Sequence, residues 1–427
     1  MVDEEARDDA FRPPERDDDG FGGRARSGAS RASTVFFEQI GQSAVKRLWR
    51  QKSEDTFRGY ALANMLSVLT AVLSDLHLGT RSQADVLRRP EIRRILFDAL
   101  TEADEIVLLG DVVELREQPL AGVLEVALPF FEELGEALPG KRITLLAGNH
   151  DHRVVADWLE TLRLDGKALG LEERTTPQSS RIATAVAERM PHNDVELAYP
   201  GVWLRPGTYA HHGHYIDVHM SVPRLEAIAI SATARASGGV APPPRTPDDY
   251  EAAITPLYAF AYALAQGSNR SRRVLGMDLS RKMWRRIDSR RDLPSRALRG
   301  VAIPSAVWAL NRAGMGPFEA KLSGATLRNA GLTSMRDLAA ALTLDAEEIV
   351  YGHTHRPGPL PGDRNWDAKL FNTGSWLYEP NLLQATAGDS PYWPGCVLFV
   401  EDGKPPRLER LLLEVSHEDL GAHDAYS

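Results

Sequence analysis

Uninterrupted apolar runs recur along the chain: Val72-Leu73, closing the stretch Ala61–Leu73, then Ile106-Val107-Leu108-Leu109 and Ile143-Thr144-Leu145-Leu146. A strand with one face in water alternates polar and apolar positions, so runs like these predict strands covered on both faces. Between them, Glu91–Leu100 and Val123–Leu138 carry apolar residues at helical spacing. Strand, helix, strand is a layered α/β pattern. Further strands are expected at Val202–Leu204, Thr208–Ala210, Glu348–Tyr351, Leu370–Asn372, Val397–Val400 and Leu408–Leu413. Ahead of all of these, Phe36, Ile40, Val45 and Leu48 predict a helix over Val35–Trp49.

The pattern divides the chain. Residues 1–33 hold Asp, Glu, Arg, Gly, Pro and Ser with almost no large apolar side chains, and so read as a disordered tail that cannot offset its own ordering entropy. Residues 34–213 carry the strands and helices of a first domain portion, and 345–415 carry its second portion, followed by a tail at 416–427. Between the portions lies 214–344, Ala- and Arg-rich and broken by Gly238-Gly239 and Pro242-Pro243-Pro244, which reads as a mostly helical insertion. No repeat at solenoid periods is present.

Composition narrows the classes without changing this picture. With 43% hydrophobic and 26% charged residues, the 427-residue chain is that of an ordinary globular protein. A formal charge of −9 disfavours nucleic acid as a general partner, since such binders carry a basic surplus. Cys396 is the single cysteine, so no intramolecular disulfide forms and a cytoplasmic setting is expected. The acidic start does not predict a secretory signal peptide. No run reaches the roughly 18 apolar residues a spanning helix needs, which leaves a peripheral membrane contact as the membrane role to consider.

Five polar segments interrupt the pattern: Ser74-Asp75-Leu76-His77, Gly110-Asp111-Val112-Val113-Glu114, Gly148-Asn149-His150-Asp151, His211-His212-Gly213-His214 and Gly352-His353-Thr354-His355. At least three follow a predicted strand directly, where α/β sheets build ligand sites. Carboxylate, amide oxygen and imidazole together suit borderline to hard divalent ions, and two such ions can clamp a phosphate. In an Asp-x-His segment leaving a strand, residues two apart point the same way, so Asp75 and His77 can hold the same metal, and the same spacing makes His353 and His355 a pair of nitrogen ligands. Gly110, Gly148 and Gly352 allow tight strand-to-loop turns. Each segment alone is a weak signal; their joint occurrence in this order points to a metal centre.

Together the segments resemble the calcineurin-like metallophosphoesterase superfamily: Asp-x-His, Gly-Asp, Gly-Asn-His-Asp, a Gly-associated His and Gly-His-x-His, over about residues 66–213 and 345–415. The resemblance implies a four-layer α/β/β/α sandwich with the motifs at one end. It implies two divalent ions, Mn²⁺ first, with Fe or Zn as alternatives: Asp75, His77 and His355 on one, Asn149, His212 and His353 on the other, and Asp111 bridging. It further implies a hydroxide shared by the ions as nucleophile, His150 as a catalytic group beside the phosphate, and Asp151 orienting His150. His211 and His214 compete with His212; His212 directly precedes Gly213, as in the family pattern, and is preferred on that ground.

Protein Ser/Thr phosphatases carry Asp-Arg-Gly after Gly-Asp and a Gly-Asn-His-Glu, whereas this chain has Val112-Val113-Glu114 and Asp151. Gly-Asp-x-x-Glu and Gly352-His353-Thr354-His355-Arg356-Pro357 are similar instead to UDP-2,3-diacylglucosamine hydrolases, which also place a helical lid between the His-Gly and Gly-His-Thr-His segments. That family usually has Arg where this chain has His150. The resemblance thus implies a phosphodiester or pyrophosphate substrate, small or lipid-linked; the alternatives are a nuclease and a non-catalytic scaffold. Between Arg270 and Arg299 stand eleven Arg or Lys against three Asp, with Tyr258, Phe260, Tyr262, Trp284 and Trp308 in the same insertion. Such a stretch suits either an anionic substrate or surface, or an ordinary solvated helix face. Asn372–Trp376 reads as a site-lining segment or a structural turn, and Cys396 as a core residue.

Overall fold

The computed structural model describes residues 67–222, 225–236, 243–267, 303–313, 316, 318–319, 324–363, 366–380, 383 and 390–421. The expected tail at 1–33, the expected helix Val35–Trp49 and the basic stretch Arg270–Arg299 lie outside them.

The apolar runs form the strands β1 (Leu69–Leu73), β2 (Glu105–Leu109) and β3 (Arg142–Leu146), paired in parallel. Helices α1 (Pro90–Leu100) and α2 (Leu120–Ala137) make the crossovers. After β3 come α3 (Arg153–Leu164), β4 (Glu172–Thr175) and α4 (Arg181–Ala187). Strand β5 (Asp194–Arg205) then hands the chain from one sheet to another. Its first part pairs in parallel with β3, Asp194 opposite Arg142 through Leu197 opposite Leu145, while β4 borders its other edge. Its second part pairs antiparallel with β6 (Thr208–His211), which is followed in parallel by β7 (Glu348–Tyr351) and β8 (Leu370–Asn372). Strands β9 (Cys396–Glu401) and β10 (Arg407–Arg410) close the first sheet beside β1. The strand expected at Leu408–Leu413 stops at Arg410, where Leu411 turns back to the Gly395 carbonyl.

Alternation along the strands explains the layering. Ala71, Leu73, Ile106, Leu108, Ile143 and Leu145 face a core with α1 to α4, built around Leu96, Phe130, Phe131 and Trp158. Their neighbours Val72, Val107, Leu109 and Leu146 face the other way and pack with Val202, Ala210 and Val350 of the second sheet. The outer face of the second sheet, Ile349, Tyr351 and Leu370, meets helices of the 214–344 segment. Those are α5 (Leu225–Ala236), α6 (Pro247–Gln266), α7 (Ile303–Arg312) and α8 (Gly324–Ala341). The result is the four-layer α/β/β/α arrangement. At roughly 1.5–3 kcal/mol for each fully buried Val, Leu, Ile or Phe, these three apolar interfaces carry the stability and leave the sheet edge free for polar residues.

The segment after Gly213 opens with a 3-10 helix, His214–Val218, whose residues His214 to Asp217 are buried. Within 416–421, Leu420 is buried and the Tyr378 hydroxyl lies 2.7 Å from His417 Nδ1. No helix among the described residues is long and apolar enough to cross a membrane.

Candidate metal centre

Strands β1, β2 and β3 are parallel, so Ser74, Gly110 and Ala147 leave the first sheet at one edge. Parallel β6 and β7 deliver His212 and Gly352 to a common edge of the second sheet. The edges are tied together: the His353 amide donates to Asp75 Oδ2 at 3.0 Å, and the Gly352 amide to the His212 carbonyl at 2.8 Å. All five motif segments therefore start at strand ends and meet in one place.

The local geometry is not continued strand. Among the described residues seven non-glycine residues have positive φ, and five of them are Asp75, His77, Asp111, His353 and His355. The alternation expected for Asp75 and His77, and for His353 and His355, is thus replaced by left-handed turns. Each costs about 1 kcal/mol or more and persists only where surrounding bonds over-determine it. Here the Asp75 and His77 amides donate to the Gly110 and Asp111 carbonyls at 3.1 and 2.9 Å. Glycine is required where the turns crowd the imidazole of His212. At Gly110 (φ +85°) a Cβ would stand 2.7 Å from the His212 ring, and at Gly148 it would stand 2.6 Å from His212 Nε2 and against Asp111 Oδ1.

Three overlapping groups of donor atoms result among the described residues; one joins His77, Asp111 and His150, and the other two consist of residues named as ligands. Asp75, His77 and His355 form the first, with His355 Nε2 lying 3.2 Å from Asp75 Oδ1 and 3.3 Å from His77 Nε2. Asp111, His212 and His353 form the second, and the Asn149 amide reaches both rings, 3.3 Å from His212 Nε2 and 2.9 Å from His353 Nδ1. Asp111 Oδ2 faces both groups, 3.7 Å from His77 Nε2 and 3.2 Å from His212 Nε2. All seven residues named from the sequence converge.

The far nitrogen of three rings is committed elsewhere. Carboxylate and carbonyl oxygens only accept, so His77 Nδ1–H donates to Glu114 at 2.9 Å, His212 Nδ1–H to the Leu109 carbonyl at 2.8 Å, and His353 Nε2–H to Asp217 at 3.0 Å. Each of these bonds fixes the tautomer that turns a lone pair towards the carboxylates, the usual support of a metal-binding imidazole. The Asn149 amide adds to this. As placed, its oxygen faces only lone pairs; turned over, its NH₂ would donate to Asp111 and His353 and its oxygen would accept from Arg116. A cation among these atoms favours the oxygen-inward orientation.

Electrostatics point the same way. Burial lowers the His212 imidazole, but Asp111 and Asp75 outweigh it and push it up to about 10, so that without a cation a proton takes the place facing Asp111 and a bound cation would displace it to use the lone pair. His77 is likewise lowered by burial yet driven up to about 9 by Glu114 and Asp111. Burial raises the Asp75 carboxyl, and His212 and His355 pull it down to about 2. A buried pocket that holds its carboxylates charged is one that favours cations, and the donor set fits divalent ions.

His150 sits beside the first group, its ring 4.5 Å from that of His77, and gives Nδ1–H to Glu114 at 2.6 Å. Glu114 therefore orients both rings, a role the sequence reading had assigned, for His150, to Asp151. Asp151 is occupied otherwise: its two oxygens accept the backbone amides of Gly148, Asp111, Val112 and Val113, at 2.7, 3.2, 2.7 and 3.3 Å, and so staple the β2 and β3 loops together. Asp217 was also missed; it lies 136 residues from His353, in a segment read as insertion. Of the three neighbouring histidines, His212 is the one whose ring reaches Asp111. His211 accepts the Gly213 amide at 2.8 Å, and burial with the neighbouring imidazoles lowers it to about 3. His214 Nε2 lies 3.1 Å from the Tyr199 hydroxyl. The Asn372–Trp376 turn supports the site from behind, with the Asn372 amide donating to the Gly352 carbonyl at 2.9 Å and Thr373 Oγ1 lying 2.6 Å from Ser74 Oγ.

Comparison with known families agrees with this geometry. Residues 69–227 match the calcineurin-like phosphoesterase family. The chain thus carries the domain of a metal-dependent hydrolase superfamily, and the Gly352–His355 segment, beyond the matched stretch, rejoins it through the pairing of β7 with β6. No curated protein matches the chain. Among solved structures it is similar to a cold-active protein-tyrosine phosphatase of the psychrophile Shewanella sp., with 14% identity over 81% of this chain and 80% of that one and a TM-score of 0.29.

Proposed function

We propose that the chain hydrolyses a phosphodiester or pyrophosphate at a two-ion centre. Asp75, His77 and His355 hold one divalent cation, Asn149, His212 and His353 the other, and Asp111 stands between them. The observation that supports this most directly is the set of three oriented imidazoles, each with its far N–H given to an oxygen and its lone pair facing Asp111 or Asn149. Bound there, such ions would polarise a phosphoryl oxygen and lower the pKa of a water. Oxygen and imidazole donors favour Mn²⁺, with Fe or Zn as alternatives.

The chain's own residues do the rest. With Nδ1–H given to Glu114, His150 in its imidazolium form has an Nε2–H for the substrate, which would donate to a phosphoryl oxygen or pass its proton to the leaving oxygen, leaving the neutral imidazole. Beyond the ligand groups, Tyr258 of α6 places its ring 5.9 Å from the Arg116 guanidinium. Among phosphodiesters and pyrophosphates we favour a nucleotide pyrophosphate, lipid-linked or free, on the Gly-Asp-x-x-Glu and Gly-His-Thr-His segments. Arg356 is not its ligand, because it is bound to Asp363 at 3.0 and 2.6 Å and stacks 5.3 Å over Trp366. The single buried cysteine supports a cytoplasmic setting.

The test is a screen of the full-length protein with Mn²⁺ against bis(p-nitrophenyl) phosphate, nucleotide-sugar and lipid pyrophosphates, cyclic nucleotides and oligonucleotides. Turnover of the diester that chelator abolishes, with pyrophosphates the preferred class, is expected. Metal-loaded protein that cleaves none of them would contradict the reading.

A further inference from the structure

Glu251 lies in the second turn of α6, is 0% exposed, and has no Arg or Lys partner in any hydrogen bond or ion pair described for it. A carboxylate taken out of water is costly unless donors replace its hydration. Four do: His152 Nε2–H at 2.9 Å and Thr255 Oγ1 at 2.9 Å on Oε2, and the Tyr199 and Tyr215 hydroxyls at 2.5 and 2.8 Å on Oε1. Well-packed apolar side chains of similar volume commonly stabilise a core as well as such a cluster does. Stability therefore does not explain why a charge stands there, and position does.

The partners of Glu251 are the immediate neighbours of one ligand group. His152 follows the Asn149-His150-Asp151 loop. Tyr215 stands on the 3-10 helix that also carries Asp217, the acceptor of His353 Nε2–H at 3.0 Å. Tyr199 reaches His214 at 3.1 Å, two residues after His212. The other group has its own supports, none of them on α6: Glu114 on His77, and the Ser74 hydroxyl and the His353 amide on Asp75 Oδ2. Both ends of α6 are fixed to the domain, Asp248 accepting the Leu169 amide at 2.9 Å and Gln266 the Leu120 amide at 3.0 Å.

We infer that Glu251 is a positioning residue through which helix α6 sets the geometry of the Asn149, His212 and His353 group and not of the Asp75, His77 and His355 group. The inference rests on the two-ion reading above. It makes affinity for one of the two ions depend on how α6 is seated, so that whatever shifts this helix tunes one ion selectively.

The test measures Mn²⁺ affinity, by calorimetry and electron paramagnetic resonance, in full-length protein with one ligand group disabled at a time. His355→Ala leaves the Asn149, His212 and His353 group, and Asn149→Ala leaves the other. Adding Glu251→Ala is expected to weaken Mn²⁺ binding by about tenfold or more in the first background and by less than about twofold in the second, the scale seen when a ligand's orienting partner is lost. Glu251→Gln, which keeps the shape and one acceptor, falls between. If Glu251→Ala does not fold, Tyr215→Phe removes a single hydroxyl from the carboxylate and is read in the same way. Equal weakening in both backgrounds, or none in either, overturns the inference. A wild-type chain that takes up fewer than two ions overturns instead the two-ion reading.

Discussion

The carboxylate of Glu114 accepts from His150 Nδ1 at 2.6 Å, and the same oxygen accepts from His77 Nδ1 at 2.9 Å. One buried acid thereby holds the rings of both His77 and His150. Burial raises the Glu114 carboxyl, but His150 and His77 outweigh it and hold it well below the usual carboxylate range, so it stays charged in that role.

Glu114→Gln removes the charge that both N–H groups share and, if its oxygen stays on the two rings, turns an NH₂ towards the Arg116 amide that Oε1 accepts at 2.9 Å. Loss of such an orienting partner costs roughly 10–100-fold in metal affinity or activity. We expect that fall in kcat/KM on bis(p-nitrophenyl) phosphate, with weaker Mn²⁺ uptake by the Asp75, His77 and His355 group. Wild-type turnover in the variant would show that neither ring needs Glu114.

Gly148→Ala adds a Cβ that would lie against Asp111 Oδ1 and 2.6 Å from His212 Nε2, both fixed by backbone bonds. A displacement of about 1 Å at a reacting centre can cost about 10²-fold. Turnover should fall by that order while the thermal unfolding temperature stays within a few degrees, since the apolar layers are untouched. Unchanged activity would mean that the centre tolerates a shifted Asp111.

The pH dependence of the Glu251 cluster has a definite sign. Burial raises this carboxyl, but His152, with the hydroxyls, brings it from the ordinary 4.5 down to about 2. A depressed carboxyl contributes its full stability above the ordinary value and loses it as pH falls towards the depressed one. The stability difference between wild type and Glu251→Gln, from denaturant titrations, should be flat from pH 7 to about 5 and shrink below 4.5. A difference that grows on acidification would contradict the charged assignment.

How far the sequence carried the fold follows from which residues had to declare themselves. Strands β1, β2, β3 and β7 are buried on both faces and had to be continuously apolar, so their runs were legible. Strand β4, Glu-Glu-Arg-Thr, holds no apolar residue and exists only because it borders β5, Glu172 opposite Pro200. The first half of β5 was hidden by Pro200-Gly201, which reads as a breaker and stands where β5 leaves β3 and β4 for β6.

The residues that converge at the two sheet edges were legible because they are Asp, Asn and His in short motifs at strand ends. Their left-handed backbone was not, since nothing in Asp75-Leu76-His77 marks positive φ as a glycine would. Nor were the roles of Asp151, Asp217 and Glu251, which are set by what the fold brings beside them: four amides, a ring 136 residues away, and two motif loops.

Asp111 is the residue both ligand groups share, at 3.7 Å from His77 Nε2 and 3.2 Å from His212 Nε2. Turnover of bis(p-nitrophenyl) phosphate by Mn²⁺-loaded wild type and Asp111→Asn therefore tests the two-ion account most directly. A fall of at least about 10²-fold is expected, the scale for losing one preorganised electrostatic group, with at most one tightly bound ion per chain. Wild-type turnover with two ions bound in the variant would contradict it.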